Sequence, residues 1–208
     1  MKPLTELLPE VLMHVNGCPV PIVLNAIRNS VSELLTHSGL LEKTIEIELR
    51  DTTNSYPVTM PAGYLAVTFK EGRIGSHIVK PENEINLSAY GDDWETQTGS
   101  LPVVACFKKP LLLVVPMPSE IMAMQATFYS TLSREATECD DFIIEDWAEG
   151  IAHGALARLM ILPGYKWTSG DLATYHKALF DNCKSSAAAV AMQSATNAPV
   201  MVRHVRFG

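Results

Sequence analysis

Four side chains in the C-terminal third of the sequence have the chemistry of a nucleophilic site. Cys183 is a candidate nucleophile, His153 and His176 are candidate bases, and Asp171 is a candidate orienting acid. The patterns around all four predict helices, however, and residues inside a helical bundle rarely form an open site. The chain also contains no GxSxG, HExxH, Walker or GxGxxG motif. We therefore interpret these residues as packing residues of a protein that is not an enzyme.

The other groups that could carry chemistry also favour structural roles. Glu145, Asp146 and Glu149 fall in the first turns of a predicted helix, where negative charge complements the helix dipole, and this interpretation is preferred to a metal site. The four cysteines form no CxxC pair and have no metal-ligand spacing, which favours buried thiols in a reducing compartment. Trp147 and Trp167 are expected to be core or interface anchors. We expect no cofactor and no metal.

The helix that should position these groups spans residues 140–162. Two acids begin it and Pro163-Gly164 ends it. An apolar stripe runs along it at steps of three or four residues: Ile144, Ala148, Ile151, Ala155, Leu159 and Leu162. Glycines and alanines beside the stripe predict close approach by a neighbouring helix, because each glycine costs about 1 kcal/mol of helix propensity. The residues expected to pack at this contact are Ile151, Gly154, Ala155 and Leu159.

Three further helices and a strand-rich region are predicted around it. A short helix at 9–15 and a longer one from Pro19 to about Ser38, ended by Gly39, form an N-terminal helical hairpin. A last helix begins at Ser169, with a core stripe formed by Leu172, Tyr175, Leu179, Cys183, Ser186 and Val190. Residues 43–132 show period-two patterning typical of strands, with turns at Glu71-Gly72 and at 91–93. Residues 120–132 fit helix or strand, and their Thr, Phe, Tyr and Ser content favours strand.

This order predicts an α+β fold, in which a four-helix bundle of two N-terminal and two C-terminal helices carries a β-rich insertion and an extended C-terminal tail. The expected divisions are 1–42 with 140–192 for the bundle, 43–139 for the insertion and 193–208 for the tail. We prefer an insertion to two independent domains because neither helix pair alone could bury its stripe.

Charge limits the function classes. The formal net charge is −7 and the pI is near 5.3, which argues against a free-standing nucleic-acid binder. The charge is uneven, since the 27 residues after Asp181 contain no acid and carry +3, whereas the first 181 residues carry −10. No apolar run reaches the length of a membrane span, so we expect no membrane contact and a protein that stays in the cytoplasm of the cell that makes it.

The C-terminal segment combines apolar and basic side chains on both faces of an extended chain. This pattern is expected of a peptide that binds a partner's groove or adds to its sheet. The residues predicted to bind the partner are Val200, Val202, Arg203, Val205, Arg206 and Phe207. A disordered tail and an intramolecular edge strand remain alternatives.

The sequence resembles the head-to-tail adaptor (connector) proteins of tailed bacteriophages. The stretch EGIAHGALARLMILPGYKWTSGDLATYHKALFDNC is similar to their C-terminal helix pair, LPEVLMHVNGCPVPIVLNAIRNSVSELL to their opening helix hairpin, and RHVRFG to their ending. The resemblance implies a virion protein that forms a ring of usually twelve subunits under the portal. Such a ring joins the portal to the tail or nozzle protein and surrounds the channel through which DNA passes during genome packaging and ejection.

The function expected is therefore a structural adaptor at the head-tail junction of the virion, made in the host cytoplasm. Its expected partners are further copies of itself, the portal protein, a tail or nozzle protein, and passing double-stranded DNA that is not bound specifically. Within the structural class, a tail-completion or terminator ring protein is the alternative. From another class, the alternative is a small cytosolic enzyme that uses Cys183 or His153.

Overall fold

The computed structural model describes residues 1–91 and 93–194. Within these ranges the α-helices are α1 (Leu8–Leu12), α2 (Val20–Ser38), α3 (Asp141–Met160) and α4 (Gly170–Ser194). Two 3-10 helices lie at Leu4–Leu7 and Glu84–Tyr90. The strands are β1 (Lys2–Pro3), β2 (Glu42–Leu49), β3 (Ser55–Pro57), β4 (Tyr64–Ile74), β5 (His77–Pro81), β6 (Thr98–Gly99), β7 (Val104–Lys108), β8 (Leu111–Val115), β9 (Met117–Pro118), β10 (Met122–Leu132) and β11 (Glu138–Cys139). None of the helices in these ranges is long and apolar enough to cross a membrane.

Helix α3 is the centre of the helical layer. It contacts α1, α2 and α4, and its buried side chains lie on several sides rather than on one stripe. Helix α2 begins after Pro19 in extended conformation and ends at Gly39, whose φ of 66° is the left-handed conformation that glycine adopts most readily. Helices α3 and α4 are joined by a short loop that contains Gly164 at φ 86° and Trp167.

Seven strands form one mixed sheet in the order β2-β10-β4-β5-β7-β8-β3. All neighbours are antiparallel except β5 and β7, which are parallel. The sheet is nearly closed, since its two edge strands, β2 and β3, line one cleft. It has an apolar core of its own, in which the Phe128 ring makes edge-to-face contacts with Phe69 and Phe107 at centroid distances of 5.5 and 5.1 Å.

The predicted fold class, a four-helix bundle with a β-rich insertion and an extended tail, is wrong. The first predicted helix is only the single turn Leu8–Leu12, because the chain turns at Met13 and reaches Gly17 at φ 83°. The sheet is a large layer packed on α2, where the Thr131 hydroxyl of β10 donates to the Ser32 carbonyl (3.0 Å). Arg28 Nε of α2 also donates to the Ala136 carbonyl, in the loop that follows β10 (2.7 Å). Sheet closure depends on pairings between distant residues, which period-two patterning does not reveal. The predicted domain limits stay a prediction, and the tail from residue 195 lies outside the described residues.

Two local predictions for the strand region are also wrong, and one is confirmed. Glu71-Gly72 is not a turn but lies inside β4, and the chain instead turns after Ile74, where Gly75 has φ 59°. The stretch Glu84–Tyr90 is a 3-10 helix rather than a strand. Residues Met122–Leu132, which fitted either state, do form a strand, and it pairs with both β2 and β4.

Candidate functional site

The four residues considered as a nucleophilic site do not assemble into one. In the described part of the chain, no hydrogen bond joins Cys183 to His153 or His176, and Asp171 is exposed at the start of α4. The Cys183 side chain instead packs against Gly150 of α3, where an added Cβ would lie 2.0 Å from Cys183 Sγ. Burial raises the pKa of the Cys183 thiol, and the charge of Glu149 raises it further. A nucleophilic cysteine needs the opposite shift, because the thiolate is the reactive form.

Three histidines from separate elements meet where α1, α3 and α4 come together. His153 Nδ1 and His176 Nδ1 are 3.0 Å apart, so one donates and the other accepts, and the His14 ring lies edge-on to His176 at a centroid distance of 6.1 Å. His176 is only 7% exposed, and burial lowers its pKa, with a further contribution from the charges of His153 and His14. Glu149 Oε1 lies 3.8 Å from His153 Nε2. No group of three or more metal-ligating side chains with metal-binding geometry occurs among the described residues.

An ion-pair network joins the three long helices. Glu33 of α2 accepts hydrogen bonds from Arg158 of α3 and from Lys184 of α4, the second at 2.6 Å, and Lys184 also lies 2.8 Å from Asp181. Lys184 is 8% exposed. Burial disfavours its charged form, but the hydrogen bonds from its ammonium group to Asp181 and Glu33 outweigh this effect and raise its pKa. The network therefore fixes α2, α3 and α4 relative to one another.

Small residues allow the helices to approach closely. A Cβ added at Gly154 would lie 2.9 Å from the Ser30 side chain of α2 and 3.0 Å from Phe180 Cδ2 of α4. The other three residues expected at this contact are almost fully buried: Ile151, Ala155 and Leu159. All three belong to the helical core, as do Ile27 and Val31 of α2. The role of these four residues as helix-packing positions stays a prediction.

Helix α4 turns a different face to the core than the sequence predicts. Its buried residues are Ala173, His176, Phe180, Lys184 and Ala187, two of which are polar. The predicted core stripe lies on the flank, and Leu172, Tyr175 and Val190 are 48, 58 and 47% exposed. The prediction fails because the imidazole of His176 and the ammonium group of Lys184 have hydrogen-bond partners in the protein interior. The apolar parts of both side chains can therefore take core positions. The result is a helix with apolar side chains on its exposed flank.

The carboxylates at the start of α3 form ion pairs and hydrogen bonds with groups of the sheet and with the N-terminal amino group. Asp140 precedes the helix but does not cap it with its side chain; instead it accepts hydrogen bonds from Tyr64 Oη (2.6 Å) and Lys43 Nζ (2.9 Å). Burial acts to raise the pKa of Asp140, but these two hydrogen bonds outweigh it and lower the pKa. Asp141 lies 2.6 Å from the N-terminal amino group. These contacts join β2 and β4 to the helical layer.

The residues predicted to bind a partner lie outside the described residues: Val200, Val202, Arg203, Val205, Arg206 and Phe207. Sequence reasoning missed the network of Glu33, Arg158 and Lys184. The signal for Lys184 was its spacing of four residues from Phe180, which places it on the helix side that carries Ala173 and His176.

A family model described as SU10 adaptor protein matches residues 4–203, which is nearly the whole chain. No curated protein matches the chain significantly.

Proposed function

The chain belongs to the SU10 adaptor protein family, and from this premise we propose that it forms the ring that joins the portal to the tail around the DNA channel. The family match confirms the resemblance to phage head-to-tail adaptors found in the sequence. As a phage adaptor the protein is a structural component of the virion that contacts other phage structural proteins. The family match over residues 4–203 is the observation that carries the proposal.

The exposed flank of α4 supports assembly into a ring, with twelve subunits as the expected number. Leu172, Tyr175 and Val190 are each about half exposed along one side of a 25-residue helix. Apolar side chains aligned in this way gain about 25 cal/mol for each Å² removed from water when a second subunit covers them. The ion-pair network behind this flank keeps α4 in place on α2 and α3.

The charge distribution supports the proposed route of the DNA and the proposed docking of the tail. Because residues 1–181 carry −10, the body of the subunit would repel DNA, and double-stranded DNA could pass without binding specifically. Residues 182–208 carry +3 and are proposed to dock on the portal through Val200, Val202, Arg203, Val205, Arg206 and Phe207. The opposite end of the ring would contact a tail or nozzle protein at the head-tail junction.

The test is the mass of the protein in solution, with and without purified portal, together with an image of the complex. We expect the portal to carry a ring of adaptor subunits on its tail-facing end. Tyr175→Glu should weaken ring formation at least tenfold, whereas the matched control Ser185→Glu, at an exposed position of α4 outside the line of Leu172, Tyr175 and Val190, should not. Rings that form equally well with both variants would exclude the α4 flank as the subunit contact.

The two alternatives predict different results. A tail-completion or terminator protein should assemble on tail tubes and not on portals. An enzyme that uses Cys183 or His153 should need no portal, and the raised pKa of the Cys183 thiol gives it no support. If the protein does not bind the portal but assembles on tail tubes, the first alternative is correct and the proposed function is wrong.

A further inference from the structure

The two edge strands of the large sheet, β2 and β3, follow one another along the chain and separate around a cleft of about 450 Å³. Tyr56 holds them together at one end, where its hydroxyl accepts a hydrogen bond from the Arg50 N–H at 3.0 Å and donates to the Arg50 carbonyl at 2.9 Å. Away from this end, each strand directs one set of backbone groups to its neighbour in the sheet and the other set toward the cleft.

The cleft side of β3 is blocked. The backbone of Asn54 and of Val58 bonds to β8 and to the residue before it, at 2.8 and 3.0 Å. Ser55 and Pro57 therefore direct their backbone groups toward the cleft. Pro57 has no N–H, and the Ser55 N–H already donates to Thr53 Oγ1 at 3.1 Å. Strand β3, all of whose residues are described, thus has no unpaired N–H to offer to β2.

The cleft side of β2 is open. Ser130 N–H donates to the Leu41 carbonyl at 2.8 Å, so Leu41 and every second residue after it direct their backbone groups toward β10. The alternate residues direct theirs toward the cleft: Glu42, Thr44, Glu46 and Glu48. In the part of the chain that the structure describes, β10 is the only strand that pairs with β2. An unpaired edge of this kind is a template for one more strand.

The side chains of β2 decide which strand fits. On its core-facing side the cleft is lined by Ile45 and Ile47, which belong to the core of the sheet. On the other side β2 carries three exposed carboxylates: Glu42, Glu46 and Glu48. Within the described ranges no ion pair involves Glu46, and its neighbour on β10 is the uncharged Gln125. The edge therefore combines an apolar side with an acidic side that lacks a cation at its centre.

A second copy of β2 does not match this edge. In the antiparallel registers that overlap most, two copies of β2 would place glutamates directly opposite glutamates, and like charges at opposite positions destabilise a strand pair. The matching occupant is a strand with basic side chains on one side and apolar side chains on the other.

We propose that the β2 edge binds an extended segment of a partner protein, which adds to the sheet as a strand antiparallel to β2. The segment carries lysine or arginine on the side of Glu46 and valine or isoleucine on the side of Ile45 and Ile47. In the antiparallel orientation, the residues that bond to the backbone of β2 also place their side chains beside its glutamates. Backbone hydrogen bonds would supply affinity, and the alternation of side chains would supply specificity.

This inference goes beyond the proposed function, because it concerns the sheet of a single subunit and needs neither a ring nor a portal. A subunit that forms no ring could still bind such a segment, and a ring could form although the β2 edge binds nothing. Failure of the ring proposal and failure of this one are therefore distinguishable.

The test is amide hydrogen exchange of the full-length protein in the presence of a short synthetic peptide in which lysine and valine alternate. At saturating peptide the cleft-facing amides of Thr44, Glu46 and Glu48 should exchange about tenfold more slowly or less. The amides of Ile45 and Ile47, which already face β10, should change little and serve as the internal reference. A control peptide with two adjacent prolines at its centre lacks a donor in either register and should leave the exchange unchanged.

Two variants test the role of charge. Glu46→Lys reverses the central carboxylate and should weaken binding of the peptide about tenfold or more, since it replaces attraction by repulsion at an exposed edge. The matched control Glu10→Lys makes the same change in net charge at an exposed position of α1 and should not weaken binding. The difference between the two variants should decrease at high salt concentration, which screens exposed charges.

The outcomes decide the proposal. Slower exchange that is confined to the cleft-facing amides and is lost in Glu46→Lys supports it. Exchange that does not change with the peptide would overturn it, and so would equal binding by Glu46→Lys and Glu10→Lys. Cleft-facing amides that are protected before the peptide is added would also overturn it. Such protection would assign the edge to the same chain if it is independent of protein concentration, and to a second copy if it rises with concentration.

Discussion

Replacing Gly150 with alanine tests the close contact between α3 and α4. A Cβ at this position would lie 2.0 Å from Cys183 Sγ and 2.9 Å from Cys183 Cβ. Rotation of the thiol could relieve the first clash, but the second involves an atom fixed to the backbone of α4. The two helices must therefore move apart to accept the methyl group.

The expected change in the free energy of unfolding is the balance of two effects. In an open helix, alanine in place of glycine stabilises by about 1 kcal/mol. Overpacking of a close contact costs about 1–3 kcal/mol, and the 2.9 Å approach of two Cβ atoms favours the upper part of this range. We expect Gly150→Ala to destabilise by about 1–2 kcal/mol, which lowers the melting temperature by roughly 2–8 °C for a chain of this size.

Thermal melts and urea titrations followed by circular dichroism measure this change. Gly170→Ala is the matched control, because nothing lies within 4 Å of a Cβ added there. It should leave the stability unchanged or raise it by up to about 1 kcal/mol. In a Cys183→Ala background the cost of Gly150→Ala should become smaller, because the sulfur contact is gone and only the 2.9 Å contact remains.

Two results would refute this reasoning. A Gly150→Ala variant that melts at or above the wild-type temperature would mean that α3 and α4 are not packed as closely as described. An equal cost of Gly150→Ala in the wild-type background and in the Cys183→Ala background would mean that the destabilisation arises elsewhere.

The remaining predictions concern charge and the tail. The part of the unfolding free energy that depends on His176 should be fully present above pH 6.5 and should decrease as the pH falls below this value. The reason is that burial lowers the pKa of His176 in the folded protein from 6.5, so the unfolded chain binds more protons in this range. Urea titrations between about pH 5 and pH 7.5 should show a flatter profile for His176→Gln. Glu33→Gln should cost about 1–3 kcal/mol, since it weakens the pairing of a buried ammonium group, whereas the exposed pair removed by Lys177→Gln should cost less than about 1 kcal/mol; equal melting temperatures for the two variants would contradict this. Deleting residues 199–208 should leave the melting temperature nearly unchanged and abolish portal binding in a pull-down assay, and normal binding by the truncated chain would move the docking surface to the helices.

Local patterns in the sequence predict the elements better than their arrangement. The Thr, Phe and Tyr content of residues 122–132 indicates a strand, and β10 is one. Glu71-Gly72 suggests a turn only because glycine is common in turns. In the structure Gly72 lies inside β4, where a Cβ would come within 2.6 Å of Met124 Sδ and 3.2 Å of Val79 Cβ. A contact between three strands is invisible in any local window.

In the helices, too, local sequence patterns do not reveal the tertiary contacts that decide the arrangement. The stripe of Leu172, Tyr175 and Val190 has helical spacing, and the sequence cannot tell whether it faces the core or solvent. The answer depends on Glu33, more than 150 residues before Lys184. Its carboxylate allows Lys184 to be buried, and this sets the rotation of α4. The predicted binding residues beyond residue 194 lie outside the described residues, so for them the sequence still provides the whole argument.

The helical layer combines segments that are translated early with segments that are translated late. Strand β1 pairs with β11 at Lys2 and Cys139, and the face of α2 that carries Ile27 and Val31 belongs to the same core as α3. A ribosome that adds about 5–20 residues per second would expose this apolar face for roughly 8–30 s before α3 and α4 emerge. During that interval the nascent chain offers an aggregation-prone surface, so its yield in the host should depend on chaperones that bind emerging apolar helices. The subunit cannot complete its helical core until its last helix is translated.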